Sequence, residues 1–182
     1  MSMYQQLSRL GERFFSRAFL FKHGFNLSPM YRRSTGRVVS VSEDLFRIEV
    51  KLKLSYKNRN YVNTIFGGSM FASVDPFPMV QLINLIGPHY VVWDKAAHIR
   101  FLRPGDKDLQ AIFQYTPQEV ADIQKQVAAK KEIEIVKTTQ LIDPLSGKIH
   151  CEVDKTIYIA DKSFFKAKQK KRLKEKATQG KK

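Results

Sequence analysis

The stretch Asn60-Tyr61-Val62-Asn63-Thr64-Ile65-Phe66-Gly67-Gly68-Ser69-Met70-Phe71-Ala72-Ser73-Val74-Asp75 sets an amide side chain, a glycine pair and a carboxylate at the head of an apolar segment. A helix opening at Gly67-Gly68 turns free N–H groups outward, with the positive end of its dipole behind them. Such a cluster can hold a developing oxyanion. Asp75 follows two turns later, about 12 Å along the axis at 1.5 Å per residue. Donors for a carbonyl oxygen and a carboxylate that can act on water are the parts of a hydrolytic site. Two structural readings stand beside this one. Asp75-Pro76 also reads as an N-cap followed by proline at N1, which would start the helix there. Asn60 closes the polar run Tyr56-Lys57-Asn58-Arg59-Asn60, where a turn role is equally natural.

Around this stretch the chain alternates between helical and strand patterns. Leu7, Leu10, Phe14, Ala18 and Phe21 recur at helical spacing, predicting a helix over 3–22 and a connector over 23–37. Phe46, Ile48, Val50, Leu52 and Leu54 alternate with charged residues, so 45–54 is a half-buried strand with a shorter partner at 37–42. The apolar segment 67–86 reads as one long helix, stopped by Gly87-Pro88. Strand-like runs follow at 89–102, 108–115, 131–142 and 148–160, the last two joined by the Asp143–Gly147 turn. Thr116-Pro117-Gln118-Glu119 opens a short helix over 117–129. Hairpin-joined strands and a helix apolar on most sides give an α+β fold, an antiparallel six-stranded sheet around a long central helix. One sheet face would remain to be covered, which favours oligomerisation.

The 182 residues carry a net charge of +15, with 43% hydrophobic and 27% charged residues. This composition fits one folded domain rather than a disordered chain. The body, 38–161, is neutral. Residues 1–37 and the Lys-rich tail 162–182 supply the whole excess. The organisation expected is an N-terminal amphipathic helix and connector (1–35), a folded domain (36–161) and a basic tail (162–182). A nucleic-acid-binding fold usually places its basic residues on the folded domain, so nucleic acid is not the expected partner. Peripheral contact with an anionic membrane is a functional reading of the basic ends and of Phe164-Phe165. The lone cysteine, Cys151, excludes an intrachain disulfide and, with no secretory signal and no bilayer-length apolar run, points to the cytoplasm. His23, His89, His98 and His150 lack metal-ligand spacing, and no phosphate-loop, dinucleotide or nucleophile-elbow motif is present, so no metal or cofactor is expected.

Six strands around one helix that follows strand two is the pattern of the hotdog fold. Asn60, Gly67, Gly68 and Asp75 resemble the motif of the PaaI-like branch of hotdog acyl-CoA thioesterases, with Phe66 where that branch carries histidine. Val92 to Gly105 is similar to the strand that leads to the branch's Pro-Gly turn. The resemblance covers Gly36 to about Ala160, a stretch that resembles a bacterial group within the superfamily. It implies hydrolysis of a fatty or aromatic acyl-CoA, CoA entering only as part of the substrate, by a homodimer or homotetramer whose sites form between protomers. It assigns the carbonyl-polarising amide to Gly67, an orienting role to Asn60 and the base or nucleophile to Asp75. Asp94 stands where the family often has Ser or Thr. A second carboxylate near Asp75 would raise one of the two pKa values, unless Lys95 offset it. Met70, Phe71, Val74 and Phe77 would line an acyl slot, and Phe66 and Gly68 are further candidate substrate-binding residues. Arg100, Arg103 and Lys107 could meet CoA phosphates or form a solvated face. Two other classes stay open: a non-catalytic acyl-CoA or lipid-binding protein, favoured by Phe66, and an interaction protein acting through its basic ends.

Overall fold

The structure is a computed structural model that describes residues 14–179. Its elements are α1 (Arg17–Leu27), α2 (Pro29–Arg32), β1 (Gly36–Val41), β2 (Arg47–Leu52), α3 (Gly67–Val74) and α4 (Phe77–Ile86). There follow β3 (Tyr90–Phe101), β4 (Leu109–Gln114), α5 (Pro117–Lys130), β5 (Glu132–Ile142), β6 (Ile149–Asp161) and α6 (Lys162–Gln179). All six strands lie in one sheet in the order β1-β2-β4-β5-β6-β3, every neighbouring pair antiparallel.

The central helix is broken where the sequence reads as continuous. Asp75 keeps right-handed helical dihedrals and its N–H still donates to Phe71 O (2.9 Å). Pro76 and Pro78 cannot donate to the carbonyls of Ala72 and Val74, so regular pairing lapses between α3 and α4. Phase is nonetheless kept. Met70, Ser73, Val74, Phe77, Gln81, Leu82 and Ile86 are all buried. Their spacings of one, three and four residues hold one stripe against the sheet.

Two apolar clusters meet along that stripe. One joins Met70, Val74 and Phe77 to β1, β2 and β4 through Val38, Ile48, Val50, Ala111 and Phe113. The other joins Leu82 and Ile86 to Val120, Ile123 and Val127 of α5 and to Ile157 and Ile159 of β6. Thr116 caps α5 as its sequence predicts, accepting from Glu119 N at 3.1 Å.

The N-terminal segment departs from expectation. Its helix starts at Arg17, where the Ser16 hydroxyl accepts from Phe19 N (3.2 Å), and continues to Leu27 through what reads as connector. The start of the expected 3–22 helix, and Arg9 and Arg13 with it, lies outside the described residues. Of the phenylalanines, Phe21 is buried with Phe77, whereas Phe14, Phe15 and Phe19 are exposed. Tyr31 of α2 packs edge-on to Phe77, and its hydroxyl donates to Ser73 O at 3.0 Å, close to the break.

Gly36 is needed because β1 begins against these two residues. A Cβ there would lie 2.5 Å from Tyr31 Oη and 2.9 Å from Ser73 Cβ. The tyrosine cannot retreat without losing its hydrogen bond. Gly36→Ala should therefore cost about 1–3 kcal/mol as an overpacking change. At roughly 2–4 °C per kcal/mol for a chain of this size, the thermal midpoint should fall by several degrees. An unchanged midpoint would mean that the contact is soft.

The outer sheet face is mainly polar, with Arg47, Gln114, Thr138 and Gln140 exposed and Val39, Ile112 and Val136 scattered among them. Part of it is taken by the C-terminal helix: Phe165 packs edge-on to Trp93, which stacks on Tyr158 at 4.2 Å. Phe165 is thereby committed to the protein's own packing.

Candidate active site

Asp75 does not cap α4. The cap position there is Pro76, with no side-chain cap bond. The carboxylate instead reaches across to the sheet, where its Oδ1 accepts from Lys155 Nζ at 2.5 Å. The same ammonium lies 2.8 Å from Asp94 Oδ2. Lys155 is only 4% exposed and its ammonium sits 5.6 Å from the Phe71 ring centroid, so one cation joins three elements: α3, β3 and β6. The Asp75 side chain remains 40% exposed. Asp75 thus offers an outward carboxylate on an inward anchor.

A bulge in β3 brings Asp94 to this point. Asp94 pairs with Ile157, while the next paired residue, Ala96, faces Thr156, so Lys95 is the extra residue. The shift lets an even-numbered Asp94 share the inner face with odd-numbered Ile99 and Phe101, which pair with Val153 and Cys151. Lys95 is turned out to Glu134 and does not offset the two carboxylates. Lys155 does so in its place.

Burial raises the Asp94 pKa above the usual carboxylate range; Lys155 opposes the shift, and repulsion from Asp75 adds to it least. The expected direction is right, but desolvation outweighs the expected repulsion. Asp94 Oδ1 is buried without a hydrogen-bond partner. For Lys155 burial pulls downward, yet the two carboxylates win and hold the ammonium above its ordinary value. This lysine is a fixed positive charge, not a nucleophile.

At the other end of α3 the amides of Gly67 and Gly68 have no partner among the described residues, while those of Ser69 and Met70 fold back onto Phe66 O at 2.9 and 3.1 Å. The Phe101 ring lies over Gly67, 2.8 Å from where a Cβ would stand, and the Phe66 ring lies over Gly68. The helix start is therefore a donor pair walled by two exposed aromatic rings. Asn60 is engaged locally: its Oδ1 accepts from Val62 N and Thr64 N, and its Nδ2 donates to Thr64 Oγ1. That bonding fixes the loop before the helix.

The remaining candidates divide. Met70 and Val74 are closed into the core with Phe77, and Phe71 is partly buried beside Lys155. Of the phosphate candidates, Arg103 donates to Ile149 O (2.5 Å), Lys107 meets Asp143 (3.6 Å) and Arg100 pairs with Glu152. The structure thus joins Asp75 to Asp94, leaves Asn60 in bonds within its own loop and ties Arg103 to a backbone carbonyl of β6. Lys155 was not singled out from the sequence. Its signal is the alternation Cys151, Val153, Lys155, Ile157, Ile159, a single cation on the apolar face of a strand.

This sheet, wrapped around a broken central helix, is the hotdog fold. Among solved structures, a Pseudomonas aeruginosa protein described as a probable thioesterase superposes with a TM-score of 0.69 at 16% identity, covering 79% of this chain and 95% of its own. A Chlorobaculum tepidum protein of unknown function gives 0.59 at 15% identity over 86% and 96% of the two chains. Zebrafish thioesterase superfamily member 2 gives 0.55 at 14% identity over 78% and 96%. Comparison with curated proteins gives no match. The family model for a domain of unknown function, DUF4442, matches residues 11–159, and the chain belongs to that family. No helix among the described residues is long and apolar enough to cross a membrane.

Proposed function

We propose that the protein hydrolyses an acyl-CoA thioester, with Asp75 acting on the attacking water. The observation that carries this reading is the Asp75 carboxylate. Lys155 holds one of its oxygens, the other has no partner among the described residues, and the side chain stays accessible. Water attacks the thioester carbonyl carbon and passes a proton to Asp75, the carbon–sulfur bond breaks, and the departing thiolate takes the proton. The free amides at the start of α3 supply donors for the oxyanion. Structures described as thioesterases on the same fold support the class of reaction.

Gly67 and Asp75 of one copy lie about 12 Å apart along the helix. A single carbonyl must sit about 3 Å from both the donor and the attacking water, so one copy does not complete the site. The PaaI-like resemblance supplies the remedy, a dimer in which Gly67 of one copy faces Asp75 of the other. β3 is an edge strand whose outer side is open to such a neighbour. Phe66 in the usual histidine position leaves orientation of the thioester to the backbone amides and to apolar contact.

Release of free CoA from short, long and aromatic acyl-CoAs tests the reaction. Turnover above the buffer rate on at least one class is the expected result. Saturable binding with no release would instead identify the non-catalytic acyl-CoA-binding protein.

A further inference from the structure

A second basic region lies away from Asp75. On the outer face of the sheet edge, α2, β1, the end of β2 and the loop at 53–57 enclose a groove of about 610 Å³. Its walls carry Arg32, Arg33, Arg37, Lys51, Lys53 and Lys57, and no carboxylate lines it. Lys51 meets Asp108 at 3.8 Å; the other five cations have no acidic partner among the described residues. Glu49, next along the same face of β2, is turned to Arg47 at 3.2 Å.

The register adds an independent observation. Arg37 on β1 stands directly opposite Lys51 on β2. Like charges at directly opposed positions destabilise an antiparallel pair, and an anion seated between them removes that cost. Guanidinium and ammonium groups converging on one concavity suit phosphate oxygens. The volume falls within the roughly 300–1,000 Å³ common for small-ligand sites, and a concave wall suits a molecule better than a flat bilayer. Tyr56, 85% exposed among the lining residues, carries the Lys57 ammonium 5.7 Å from its ring centroid and leaves aromatic surface accessible beside it, and Pro29 and Val39 add apolar contact.

We propose that this groove binds a soluble phosphate-dense anion of the nucleoside diphosphate class, its phosphates between Arg37, Lys51 and Lys53 and its base against Tyr56. Two hydrogen bonds lead from the groove to the helix start: Thr35 Oγ1 accepts from Asn58 Nδ2 (2.8 Å), and Asn58 O accepts from Phe66 N (2.7 Å). The inference does not rest on thioester hydrolysis, and its test uses no thioester.

The test is equilibrium binding of ADP, inorganic pyrophosphate and phosphatidylserine vesicles to the full chain at low and physiological salt. Arg37→Glu and the exposed Lys53→Glu are the groove variants, with Lys125→Glu on α5 as a control of equal charge change. The expected result is saturable ADP binding that weakens with salt, falls at least tenfold in both groove variants and is unchanged in the control. ADP should also raise the thermal midpoint of the wild type. No ADP binding, equal binding by all variants, or binding to vesicles alone would overturn the proposal. Pyrophosphate binding as tightly as ADP would overturn its nucleoside part.

Discussion

Lys155→Met should destabilise the protein by about 3 kcal/mol at neutral pH, the low end of the range for breaking a buried ion pair by removing one partner. The low end applies because Asp75 keeps 40% exposure and can recover hydration. Asp94 cannot: its Oδ1 already lacks a partner, and without the ammonium its Oδ2 would lose one as well. The pH dependence follows from the same geometry. Burial already raises the Asp94 pKa in the folded state, and loss of Lys155 removes the group that opposes the rise. A group with a raised folded pKa favours the fold while protonated and loses that contribution as pH rises through its folded pKa. The deficit of the variant should therefore be largest at neutral pH and shrink as pH falls through the raised Asp94 pKa toward the ordinary carboxylate range. Denaturant unfolding at about pH 7 and about pH 4 measures it. Adding Asp94→Asn should restore part of the loss at neutral pH. Equal deficits at both pH values would show that Lys155 acts through packing alone.

The elements were legible because the periodicities are clean. The alternation of Phe46 to Leu54 against Arg47 to Lys53, and the Thr116-Pro117 cap, place β2 and α5 within one or two residues. The break at Asp75-Pro76 was less so. Aspartate before proline supports both an N-cap and a kinked helix, and tertiary contact from Lys155, 80 residues away, decides between them. The end of the first helix was read too early because Asn26 looks like a breaker, whereas the helix that Ser16 caps runs through Gly24 and Asn26 to Leu27. An isolated glycine inside a helix costs about 1 kcal/mol, which the packing of Phe21 and Phe25 against Phe77 outweighs.

Site residues divide along the same line. Gly67 and Asp75 are close in sequence, so their spacing along one helix could be read directly. The union of Asp75 with Asp94 depends on a one-residue bulge at Lys95, which reverses which side chains face inward. No local pattern announces such a shift. The charge count misled in a similar way. It assigned the excess to the two ends, yet β-pairing brings Arg37 from the first segment beside Lys51 and Lys53 of the neutral body. Charge balance along a chain does not report charge balance on a surface.

The proposed hydrolysis rests on the accessible carboxylate of Asp75, and Asp75→Asn isolates that group. The substitution conserves shape, and the amide oxygen can still accept from Lys155, so the fold should persist with a modest change in thermal midpoint. The measurement is CoA release by the wild type and Asp75→Asn on the best acyl-CoA substrate, with folding of both checked by thermal unfolding. Loss of a positioned general base predicts a rate about 10²–10⁴-fold lower in the variant. Undiminished release by a folded Asp75→Asn protein would show that Asp75 is not the base.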